Sequence, residues 1–209
     1  MSRYIEELVE RYPPLRSCRA DLQSAFDLLR GCYDEDCIVY VCGNGGSAAD
    51  AEHIVGELMK SFTAHRPVPA EMASRLGDAY LAEHLEGALR SIALTGQPSL
   101  ATAFANDVAP DLVFAQQVFG YGRPGDVLWG LSTSGASRNV IHALKVARAK
   151  GMHRLGLTGG QGGAMAEWCD VCIRVPETET YKVQELHLPI YHALCRMLEA
   201  HFFPPTSDG

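Results

Sequence analysis

The stretch VCGNGGSAADAEHIVGELM, residues 41–59, passes from an apolar run through a glycine cluster straight into a helical pattern. A strand that turns into a helix without a linker opens a βα unit, and the pattern recurs down the chain. CIVYVC (37–42), SIALT (91–95), DVLWGLS (126–132), RLGLTG (154–159) and VCIRVP (171–176) read as short strands. Helical stretches separate them, over roughly 47–62, 99–120, 137–151, 162–169 and 180–202. Strands that lack in/out alternation and are spaced by helices imply a parallel sheet covered on both faces. The expected fold is therefore α/β, with a doubly wound five-stranded parallel sheet flanked by helices.

Residues 2–31 read as two helical pieces broken at Pro13-Pro14, because consecutive prolines cannot continue a helix. Residues 1–36 are thus N-terminal helices, and 63–90, TAHRPVPAEMASRLGDAYLAEHLEGALR, reads as an insertion before the second strand. No repeat or long linker divides the 209 residues, so one domain is expected. A net charge of −7 and a pI near 5.6 argue against a general nucleic-acid or anionic-membrane binder. No run approaches bilayer length, and MSRYIEELVERYPPLRS shows no apolar leader. Seven cysteines then read as reduced thiols in a cytoplasmic protein. Cys169 and Cys172 form one CxxC without a second pair, which is read as structural rather than as a zinc ribbon.

In an open parallel sheet, ligands bind beyond the carboxyl ends of the strands, near the switch in strand order. Gly43-Asn44-Gly45-Gly46-Ser47 lies at such an end, where glycines let backbone amides converge and the helix N-terminus offers unpaired N–H groups to an anion. Gly43, Gly45 and Ala48 formally fit a dinucleotide fingerprint, but SIALTGQP lacks the acidic residue that would close the next strand. No lysine follows, which excludes a Walker A loop. A purely structural turn stays open until the second loop is considered. LSTSGAS (131–137) again joins strand to helix and places Ser132, Thr133, Ser134 and Ser137 around one glycine. Four hydroxyls facing a second glycine-rich strand end suit a monoester phosphate held by neutral donors.

His53 and Glu57, at i and i+4, share one face of the helix that follows the first cradle. Taken alone, such a pair is more often a surface contact. Gln184, His187 and His192 lie in the otherwise apolar VQELHLPIYHALCRML. GNGGS followed by HxxxE, the STSGxS loop and QELHLPIYH together resemble the sugar isomerase (SIS) domain family, and within it the phosphoheptose isomerases. The resemblance covers the chain to about residue 62 and again from about 91 to 203. It implies a single SIS domain over 1–209 with a flavodoxin-like strand order. It also implies a metal set of His53, Glu57, Gln184 and His192 holding one Zn²⁺ per subunit. Glu57 and His192 are the implied catalytic pair. Asn44, Gly45, Gly46, Ser47, Glu57, Asn106, Asp107, Ser132, Thr133, Ser134, Ser137 and Gln184 are the implied contacts to a phosphorylated sugar. The family is tetrameric with active sites formed between subunits, which implies a homo-oligomer here. His187 is left structural.

Aldose–ketose isomerisation explains such a constellation. A proton leaves the carbon beside a carbonyl and returns to its neighbour through a cis-enediol, with a metal polarising the carbonyl. The implied reaction interconverts sedoheptulose 7-phosphate and D-glycero-D-manno-heptose 7-phosphate. A carboxylate firmly bound to zinc is a poorer base, so Glu57 either changes coordination or shares the site with a partly structural metal. The 63–90 insertion is absent from shorter family members, Pro189 is expected to kink the last helix, and Ala48-Ala49 resembles a non-catalytic relative that binds DnaA. The alternatives are therefore an isomerase of another ketose phosphate, a sugar-phosphate-binding or DnaA-binding regulator, and a lyase of the same superfamily.

Overall fold

All five expected strands form, in a single parallel sheet of order β2-β1-β3-β4-β5: β1 Val39–Cys42, β2 Ser91–Ala93, β3 Val127–Ser132, β4 His153–Gly159 and β5 Val171–Val175. The structure is a computed structural model describing residues 2–204; Met1 and residues 205–209, part of the expected single domain, lie outside the described residues. The strands lack alternation because both faces are covered. Val39, Val41, Val127, Trp129 and Leu131 point into one apolar core, while Tyr40, Cys42 and Leu128 point into the other. Register is tight across the centre, with Val41 opposite Trp129 and Trp129 opposite Leu155.

The first core is capped by α1 (Ser2–Arg11), α2 (Arg19–Asp34), α3 (Gly46–Met59) and the long C-terminal α9 (Thr180–Phe202). A 3-10 turn over Pro13–Cys18 separates α1 from α2, as the proline pair requires. Segment 63–90 holds two short helices, α4 (Ala70–Leu76) and α5 (Ala79–His84), that bury no residue. The opposite face carries α7 (Val113–Tyr121) and α8 (Arg138–Ala149), while α6 (Pro98–Asp107), which buries no residue, packs against α7.

Two sequence expectations are corrected. The stretch 99–120 is two helices, because Pro110 cannot continue the first and drives Ala109 into an extended conformation (φ −161°, ψ 122°). The stretch 162–169 holds a 3-10 turn, Ala164–Trp168, in place of an α-helix. The last helix runs unbroken through Pro189. All seven cysteines are free, and both Cys169 and Cys172 sulfurs pack over Gly156 of β4. No described helix is long and apolar enough to cross a membrane.

Candidate active site

β1 sits between β2 and β3, so the loops leaving β1 and β3 diverge and open a crevice at the switch in strand order. Two carboxamides bridge these loops: Asn44 Nδ2 donates to Asn139 Oδ1 (2.9 Å) and Asn139 Nδ2 to Asn44 Oδ1 (2.8 Å). The crevice, about 310 Å³, is lined by Asn44, Gly45, Gly46, Ser47, Ser132, Thr133 and Ser137, with Thr180 and Gln184 of α9 closing it. Glycine at 46 lets the Gln184 carboxamide lie against the loop, since a Cβ there would sit 2.4 Å from Gln184 Nε2. Ser132 and Ser137 hydroxyls lie 2.8 Å apart. No lysine or arginine lines the crevice, so an anion would rest on hydroxyls, amides and the N-terminus of α3.

Ser134 does not line this crevice. Its Oγ accepts from the Ala136 amide (3.2 Å), and it borders a neighbouring cleft beside Gly159 and Gly160. Asn106 and Asp107 stand exposed in the last turn of α6, where Asn106 Nδ2 donates to Asp107 Oδ1 (2.8 Å); they border neither the crevice nor the cluster described next.

α3 and α9 pack side by side and run in the same direction, Gly46 beside Gln184 and His53 beside His192. His53 Nε2 lies 3.0 Å from Glu57 Oε1 and 3.4 Å from His192 Nε2. The ligand atoms of these three residues all fall within 4.8 Å of one another. Burial and the neighbouring His53 push the His192 imidazole below its usual range, against the opposing pull of Glu57. Two imidazole nitrogens and one carboxylate oxygen form the kind of donor set that holds Zn²⁺ with a fourth position left open. Gln184 is not part of this cluster within one protomer. Its carboxamide covers Gly46, eight residues and so about 12 Å of helix before His192.

Several residues here were not singled out from the sequence. The Tyr191 hydroxyl lies 3.1 Å from Asp50 Oδ1 and 3.0 Å from His53 Nδ1. Asp50 had a local signal, standing three residues before His53 on the same helix face. Arg66 and Glu199 had none. They form a fully buried ion pair (2.9 Å), with Arg66 also donating to the Leu58 and Glu57 carbonyls (2.9 and 3.0 Å). Glu199 accepts from the amides of Phe62, Thr63 and Ala64 (2.8, 2.8 and 3.1 Å). Burial pushes the Glu199 carboxyl up, but hydrogen bonds from Thr63 and Phe62 and the Arg66 charge together hold it below the usual carboxylate range.

The comparisons with known proteins agree with this fold. The family model for the SIS domain matches residues 3–88 and 70–159. The phosphoheptose isomerase of Synechocystis sp. is 36% identical over all of this chain and 98% of its own length. That of Rhodospirillum rubrum is 45% identical over 77% of this chain and 75% of its own. The solved structure of phosphoheptose isomerase GmhA from Neisseria gonorrhoeae superimposes with a TM-score of 0.76 at 34% identity, covering 95% of this chain and 96% of that one. The chain belongs to the SIS-domain family and, within it, to the phosphoheptose isomerases.

Proposed function

We propose that the chain interconverts sedoheptulose 7-phosphate and D-glycero-D-manno-heptose 7-phosphate by proton transfer through a cis-enediol. The observation that carries this reading is that α3 holds both ends of the site. Its N-terminus and the serine loop form a cradle suited to phosphate, and two turns on it presents His53 and Glu57 to His192. That separation is about 10 Å along the helix axis. An open-chain heptose bridges it, from a carbonyl at the cluster to a 7-phosphate in the cradle, whereas a shorter sugar leaves one end unengaged.

In this reading Glu57 takes and returns the carbon-bound proton. Its two oxygens have different partners, Oε1 toward His53 (3.0 Å) and Oε2 toward the exposed Lys60 (3.4 Å), so Oε2, the more weakly held, is the one assigned to proton transfer. His192, kept neutral by burial, handles the oxygen-bound proton. One Zn²⁺ per subunit, held by His53, Glu57 and His192, would polarise the sugar carbonyl. Ser47, Ser132, Thr133 and Ser137 hold the phosphate, and Gln184 contacts the sugar between the two ends. As a fourth metal ligand Gln184 would have to come from a neighbouring subunit, and Asn106, Asp107 and Ser134 would likewise reach the sugar in an assembled site. We infer a cytoplasmic homotetramer, supported by seven free thiols and by exposed apolar side chains such as Val108, Phe119 and Tyr181.

The test is turnover of five-, six- and seven-carbon ketose phosphates in deuterated water, with and without chelator. The seven-carbon substrate should turn over fastest, with deuterium at the carbon beside the carbonyl, and chelator should abolish it. Sugar-phosphate binding with no deuterium uptake by any substrate would make the chain a binder and not an isomerase.

A further inference from the structure

The hydrogen bonds around His53 and Tyr191 can be assigned by counting protons. The Tyr191 hydroxyl has one hydrogen and two neighbours, Asp50 Oδ1 at 3.1 Å and His53 Nδ1 at 3.0 Å. An ionised carboxylate can only accept. Tyr191 therefore donates to Asp50, and its oxygen accepts from His53. His53 Nδ1 carries a hydrogen, and Nε2, turned toward the acceptor Glu57 Oε1 and toward His192 Nε2, faces a position that a cation, a proton or a metal ion, must fill.

We propose that Asp50 and Tyr191 are positioning residues for the metal site, holding His53 as its Nδ1–H tautomer so that Nε2 is the ligating nitrogen. The inference rests on reading His53, Glu57 and His192 as a metal site. Packing alone does not account for Tyr191. Its ring is completely buried between α3 and α9, where an apolar side chain of like size would fill the space. Its hydroxyl instead reaches two polar atoms of one helix face, on which Asp50, His53 and Glu57 follow at i, i+3 and i+7. The ring also stands edge-on to the imidazole, with centroids 5.4 Å apart and planes at 73°. A ligating imidazole whose second N–H is hydrogen-bonded is both oriented and more basic, and removing such a partner typically weakens metal binding about 10–100-fold.

The experiment measures Zn²⁺ affinity by competition with a chromophoric chelator, without sugar, for the parent chain, Tyr191→Phe, Asp50→Ala, the double variant and His53→Ala. Tyr191→Phe and Asp50→Ala should each bind Zn²⁺ about 10–100-fold more weakly. The double variant should be no weaker than the weaker single one, because both act through one chain of bonds. Saturating Zn²⁺ should return the turnover of Tyr191→Phe toward that of the parent. An affinity within twofold of the parent for Tyr191→Phe, or losses that multiply in the double variant, would overturn the proposal. If His53→Ala loses the ion while Tyr191→Phe keeps it, the relay alone fails. If His53→Ala binds as tightly as the parent, the metal-site reading fails and takes the relay with it.

Discussion

The two ends of α3 are finished in opposite ways. At its N-terminus the helix begins in glycines, with hydroxyls and carboxamides around an open crevice and no charged side chain lining it. At its C-terminus the Glu57 and Leu58 carbonyls are both taken by Arg66, whose charge is matched by Glu199, and the whole arrangement is closed to solvent. A helix N-terminus that opens on a crevice presents its positive end to an anion, whereas a C-terminus whose carbonyls are taken by a buried cation is an anchor. The difference puts a buried anchor at one end and an open crevice at the other, with the Glu57 side chain next to the anchor and turned toward His53.

Removing one partner of the buried pair breaks the comparison hardest. Glu199→Ala strands the Arg66 guanidinium and frees three backbone amides, so a loss of about 3–5 kcal/mol is expected. Denaturant unfolding measures it; a loss below about 1 kcal/mol would mean that this end is not the anchor. Glu57→Gln should act on the other ledge of the same turn. The Glu57 side chain contacts the partly exposed His53 and Lys60, while the anchor holds its carbonyl. Turnover should fall about 10²–10³-fold with folding unchanged, measured by steady-state kinetics beside a thermal melt. Near-parent turnover would remove Glu57 as the base.

The sequence makes one half of this contrast legible and hides the other. The cradle is written in contiguous motifs: a glycine cluster after one strand and a serine loop after another, on a parallel sheet that follows from the alternation of elements. His53 and Glu57 are four residues apart, so helix periodicity alone puts them on one face. The anchor joins residues 133 apart, Arg66 and Glu199, and no local pattern distinguishes either from a surface charge. Gln184 shows the same limit differently. Its motif places it with His192, but α9 runs parallel to α3, and that register sets Gln184 at the cradle instead. Pro110 was visible inside the stretch read as one helix, and its consequence for 99–120 was local after all.

Between anchor and cradle, α9 carries a histidine that serves neither. His187 is fully buried, its ring nitrogens have no hydrogen-bond partner among the described residues, and burial pushes its imidazole down to about 4 despite the nearby Thr158 backbone. Because the folded value lies below the unfolded one, near 6.5, its contribution to stability is fully present above pH 6.5. That contribution is lost as pH falls toward 4, where the unfolded chain binds a proton that the folded one refuses. A gap of this size is worth about 3 kcal/mol. His187→Leu should therefore be less acid-sensitive than the parent by about that amount between pH 7 and 4, measured by urea unfolding at each pH. Parallel pH profiles for the two proteins would show that His187 takes up its proton freely in the folded state.

The smallest expected effect tests the open end. Ser137 precedes α8 but makes no side-chain capping bond, and its hydroxyl meets Ser132 at the edge of the crevice. Losing it should cost the fold little, since no helix N–H depends on it. A phosphate bound there would lose one donor. Ser137→Ala is thus expected to raise KM about tenfold, about 1.4 kcal/mol of binding. kcat should stay near the parent's, because the lost contact is made equally in the ground and transition states. The same substitution then separates the two ends of α3 on one protein: a KM change with an unaltered melting temperature places ligand affinity at the cradle. A drop in melting temperature with KM unchanged would instead make the serine loop part of the scaffold.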